Sequence, residues 1–94
     1  MELREQRLAH LEYLANELDK REFRTEFTRA IARPYITVAN GMQPQLNERV
    51  LCERAEDGSW SFWWPWQQPI GSVDDLETVV SKIAAVLRSV EDET

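Results

Sequence analysis

Seven consecutive residues, Trp60-Ser61-Phe62-Trp63-Trp64-Pro65-Trp66, hold four tryptophans, and they constrain the fold more than any other stretch. Side chains alternate across a strand, so Trp60, Phe62, Trp64 and Trp66 fall on one face and Trp63 on the other. Asp57-Gly58 just before them is the signal of a two-residue hairpin loop. Under that loop Glu56 pairs with Ser59, Leu51 faces Trp64 and Cys52 faces Trp63. Val50 and Cys52 then accompany Trp63, and both faces of the hairpin are apolar. A sheet with a solvated face normally shows polar residues there. This one therefore needs cover on both sides: a helix on each face, or two helices on one face and a partner on the other.

The rest of the chain supplies two helices and further strands. Leu8, Leu11, Leu14, Ala15 and Leu18 recur at spacings of three and four, which predicts an amphipathic helix over residues 2–18. Phe23, Thr25 and Phe27 alternate with Arg24 and Glu26 as in a strand. Tyr35-Ile36-Thr37-Val38-Ala39, after Pro34, is rich in β-branched and aromatic residues and reads as a second strand. The third spans residues 48–55 and the fourth 60–66, with a loop over 67–71. Leu76, Val79, Val80, Ile83, Leu87 and Val90 make the stripe of a final helix, capped by Ser72 with Asp75 three residues on. Residues 91–94 read as a frayed acidic tail. The expected fold is a single α+β domain over residues 1–90: a two-layer sandwich of helix, four-stranded antiparallel meander and helix.

Charge and cysteine content narrow the function classes. The net charge is −6 over 94 residues, with 11 basic and 17 acidic side chains. Residues 1–54 balance nine against nine, so the excess lies in residues 55–94, with two basic against eight acidic. Phosphate backbones and anionic membranes repel such a surface, so neither nucleic acid nor membrane is an expected partner. The net-positive stretch Lys20, Arg21, Arg24, Arg29 and Arg33 reads as the solvated edge of a strand. A lone cysteine, Cys52, precludes an internal disulfide and fits a reducing compartment. No apolar run approaches the roughly 20 residues that span a bilayer. A cytoplasmic protein is the expectation.

Catalytic patterns are wanting. His10 is the single histidine, and it and Cys52 lie on different elements, too few and too scattered for a metal site. There is no nucleophile-elbow motif. Gly41, Gly58 and Gly71 form no phosphate-binding loop. Cys52 lacks a sequence neighbour that would make it a nucleophile, apart from Arg54 two positions on. No catalytic, cofactor or metal-binding residue is assigned.

Tryptophans in such density either fill a small core or form a contact surface, where rigid aromatic area is favoured. The residues expected at a surface for a protein partner, or for a second copy in a homodimer, are Tyr35 and Trp63, with Trp66 at the rim. The alternative is a small-ligand domain that uses the tryptophan cluster as an apolar pocket. Glu17-Leu18-Asp19 leading into Phe23, Pro34 to Asn40, and Trp60 to Trp66 followed by Ile70 together resemble a group of short uncharacterised proteins from actinomycete bacteria. The resemblance implies a bacterial, cytoplasmic origin. The expected layout is also loosely similar to the α+β domains of type III secretion chaperones, which dimerise and bind other proteins, although in those a helix interrupts the strands.

Overall fold

The computed structural model describes residues 3–29 and 31–87. The elements run α1 (Leu3–Asp19), β1 (Phe23–Thr28), β2 (Tyr35–Asn40), β3 (Asn47–Arg54), β4 (Trp60–Trp63), β5 (Pro69–Ser72) and α2 (Leu76–Val86). The sheet is an antiparallel meander in the order β1-β2-β3-β4-β5. The α+β class and the helix–meander–helix order match the sequence reading, but the described residues form five strands. Pro69-Ile70-Gly71-Ser72, expected to be loop, pairs with β4. Its register shifts opposite Phe62 and Trp63, where Ile70 is the extra residue and goes into the core. A bulge of this kind accommodates the glycine and proline that conceal the strand. The expected tail at residues 91–94 lies outside the described residues, as do Arg88 and Val90.

Both helices lie on one face. Leu11, Leu14, Ala15 and Leu18 of α1 and Val79, Val80 and Ile83 of α2 are buried with Ile36, Val38, Val50, Cys52, Trp60 and Phe62. Phe23 and Phe27 pack against the edge of this core. α2 begins at Asp75, whose carboxylate accepts from the Thr78 N–H at 3.4 Å. Ser72, expected as the cap, accepts instead from the Asp74 N–H, one turn earlier. The far end of α2 is held by Asn40, whose Nδ2 donates to the Leu87 carbonyl at 2.8 Å. The Asn40 Oδ1 meanwhile accepts from the Met42 and Gln43 N–H groups and shapes the β2–β3 turn.

The β3–β4 loop is one residue longer than expected. The Gly58 N–H bonds the Ala55 carbonyl, the Ala55 N–H bonds the Ser59 carbonyl, and Gly58 has φ +93°. This is a turn followed by a left-handed residue, the three-residue hairpin loop. Leu51 therefore faces Trp63 and Cys52 faces Phe62. Val50 and Cys52 lie with Trp60 and Phe62 on the core side, and Trp63 shares the other side with Leu51, correcting the expected pairing. The β4–β5 turn repeats the geometry around Pro65, with Gln67 at φ 65° in the left-handed place.

Candidate functional site

The sheet face away from the helices carries no covering element among the described residues. Register sets its rows: Arg24, Ala39 and Asn47; then Glu26, Thr37 and Arg49. The next row begins Thr28 and Tyr35, and extending the β2–β3 pairing by one residue brings Leu51 beside Tyr35. Leu51 in turn faces Trp63, and Trp63 faces Pro69. Leu51, Trp63 and Pro69 thus form an apolar row across β3, β4 and β5, with Tyr35 one position beyond the last β2–β3 pair. Tyr35, Leu51 and Trp63 lie on this one face, although the β2–β3 ladder itself ends at Ile36 and Val50. All three are half-buried rather than enclosed. The Arg49 guanidinium lies over the Tyr35 ring, 4.9 Å from its centre. Such a contact holds the ring in place while leaving its other face to solvent.

Trp66 takes a different position from the other two expected surface residues. Its ring stacks on Trp64 at 5.2 Å and nearly parallel, and its Nε1 donates to Gln68 Oε1 at 2.9 Å. Trp64 is buried, while Trp66 is 51% exposed at the end of the hairpin. The structure places Tyr35 and Trp63 on one face of the sheet and sets Trp66 against Trp64.

Two hollows open on this side. One of about 190 Å³ is lined by Arg33, Leu51, Glu53, Trp63, Trp64, Pro65 and Gln67. Glu53 within it is paired with Arg33 at 3.5 Å and with Arg7 at 3.6 Å. The other, of about 470 Å³, lies over β1 and β2 beneath Pro44 and is lined mostly by polar side chains. A third hollow, about 540 Å³, runs along the solvent side of α2 between Glu77 and Ala85.

Arg7 had no signal in the sequence and proves important to the hollow beside Trp63. The first half of β3 pairs with β2 and its second half only with β4. Continuing the β2 register would set Pro34 opposite Cys52, and proline has no N–H to donate. The Cys52 carbonyl is met instead by Arg7 Nε from α1 at 2.9 Å. The contact spans 45 residues of chain, beyond what any local pattern reports.

The chemical inventory stays sparse. Burial pushes the Cys52 thiol up to about 12, the nearby Arg7 only partly opposing it. A thiol held protonated is not a nucleophile. His10 rests against the Trp60 ring at 5.3 Å, and desolvation lowers its pKa, with Asp74 acting weakly the other way. Among the described residues no three His, Cys, Asp or Glu side chains gather as for a metal. No described helix is long and apolar enough to cross a membrane. No family model, curated protein or solved structure matches the chain.

Proposed function

We propose that this chain is a non-enzymatic protein-interaction module whose contact surface is the helix-free sheet face around Tyr35, Leu51 and Trp63, with Trp66 at its rim. One observation carries the reading: both helices cover the same side, so a tyrosine, a leucine and a tryptophan share the other face with no described helix or strand over them. An aromatic row ringed by charged side chains has the anatomy of a protein contact, apolar at the centre and polar at the rim. The ring includes Arg24, Glu26, Arg49 and the Arg33–Glu53 pair. The net charge of −6 disfavours nucleic acid and anionic membranes as partners. A single buried, protonated thiol is compatible with a cytoplasmic setting.

A small-ligand pocket built from the tryptophans is the weaker reading. Trp60 and Trp64 are spent in the core. The hollow beside Trp63 holds about 190 Å³, below the roughly 300–1,000 Å³ of ligand sites.

The test compares the wild type, Trp63→Ala and Tyr13→Ala as baits in native lysate, each checked for its unfolding midpoint. Tyr13 is 59% exposed on α1 and serves as control. Proteins retained by the wild type and Tyr13→Ala should be lost from a folded Trp63→Ala. Identical captures by all three, or a Trp63→Ala chain that does not fold, would sink the reading.

A further inference from the structure

We infer that β1 is a self-association edge: two copies of this chain pair their β1 strands antiparallel about a two-fold axis at Thr25, joining two five-stranded sheets into one of ten. The occupant of the edge is thus a second copy, whatever binds the aromatic face.

The backbone directions come first. Cys52 turns its carbonyl away from β4, while Asn40 gives its N–H to Leu46 on the β3 side. Alternation along each strand then points Ile36, Val38 and Asn40 toward β3 and Tyr35, Thr37 and Ala39 toward β1. Their register partners Thr28, Glu26 and Arg24 point back at β2. Phe23, Thr25 and Phe27 therefore aim their N–H and C=O groups out of the sheet. β1 is the outermost strand, and no other described element bonds those groups. An open row of this kind is a template for another strand.

The side chains specify which strand. Phe23-Arg24-Thr25-Glu26-Phe27 is its own complement when read antiparallel. With Thr25 opposite its two-fold copy, Arg24 faces the second copy's Glu26 and Glu26 its Arg24. On the core side, Phe23 faces the second copy's Phe27, and the reverse. Two-fold symmetry requires such reciprocity, and opposite charges and aromatic pairs are the favourable cross-strand neighbours. The outward-pointing residues are the ones placed opposite each other, so three reciprocal pairs form six backbone hydrogen bonds. Sliding the pairing by two residues sets Arg24 against its own copy one way and Glu26 against its own copy the other. Charges on an edge usually repel a neighbouring strand; in this order they admit one register.

The core-side phenylalanines also have something to gain. Phe23 and Phe27 are only half-buried, and Phe27 is shielded by the Arg29 guanidinium 4.2 Å from its ring centre. A second strand would complete their cover.

The test is a charge exchange followed by sedimentation equilibrium from about 5 µM to 1 mM. Arg24→Glu alone puts glutamates opposite each other, and Glu26→Arg alone puts arginines opposite each other. Each should raise the dimer dissociation constant about tenfold or more. Mixing the two single variants restores both pairs, as does the double variant Arg24→Glu/Glu26→Arg, and either should recover the wild-type constant. All four positions of charge are exposed, so circular dichroism should stay unchanged. A wild type that is monomeric at 1 mM overturns the inference. So do single variants that dimerise as the wild type does, or a mixture that fails to recover. Dimerisation abolished by Trp63→Ala and untouched by the charge exchanges would overturn it too, and would move the contact to the aromatic face.

Discussion

Trp60 gathers the polar side of α1 around one indole. Its Nε1 donates to Gln6 Oε1 at 3.2 Å, the Arg7 guanidinium lies 5.7 Å from its ring centre, and His10 leans on it at 5.3 Å. The desolvation that lowers the His10 pKa has a thermodynamic consequence. Below the ordinary imidazole value of about 6.5 the unfolded chain takes up a proton there more readily than the folded one. Stability therefore rises with pH through the interval between the two values. The penalty is absent above about 6.5 and complete once pH has dropped through the lowered folded value. Urea midpoints of the wild type and His10→Gln, measured from pH 7.5 to 5, should diverge as the pH falls, with the wild type losing more. Parallel curves would mean that His10 is not desolvated in the folded protein. The Cys52 thiol, held up to about 12 by burial, should resist a maleimide at pH 8 until urea is added. Rapid labelling of the native protein would contradict the burial.

Among the elements, β3 depends most on a neighbour that is not a strand. Arg7→Met keeps an aliphatic stem of similar length but removes the donor to the Cys52 carbonyl and one partner of Glu53. A charge-assisted bond of this kind contributes about 1.5–3 kcal/mol. Chemical denaturation should show a loss in that range, and a change within about 0.5 kcal/mol would mean that water replaces the guanidinium. The helices were legible because leucines and valines at three- and four-residue spacing mark a face. Strands β1 to β4 were legible from alternation and β-branched content, although β4 stops at Trp63, where residues 64–68 turn the chain, rather than running to residue 66. β5 was not, because Pro69 and Gly71 are residues that strands usually exclude. The hairpin register was off by one residue, since Asp57-Gly58 fits either loop length and only the backbone hydrogen bonds between Ala55, Gly58 and Ser59 decide between them. Alternation alone separated Trp63 from Trp60 and Trp64. It could not say which side the helices take, nor that Arg7 meets β3.

At the scale of the whole molecule, the two sheet faces should answer differently to truncation. Phe62 is fully buried in the core beneath the helices, and Phe62→Ala should cost about 3–5 kcal/mol. That is a large share of the roughly 5–15 kcal/mol that holds a domain folded. Trp63→Ala, on the bare face, should cost markedly less in the same denaturation experiment. Equal losses would place Trp63 in the core. The sheet has one further property that follows from β3. Its pairing with β2 spans residues 47–50 and its pairing with β4 spans 51–54, so no residue of β3 is laddered on both sides. In mechanical terms β3 is a splice plate between two separate lap joints. A load passing from β2 to β4 has no parallel ladder through the sheet and must travel along the single covalent link between Val50 and Leu51, so one backbone cut there would leave two hairpin assemblies joined by the helices above them and the Arg33–Glu53 pair.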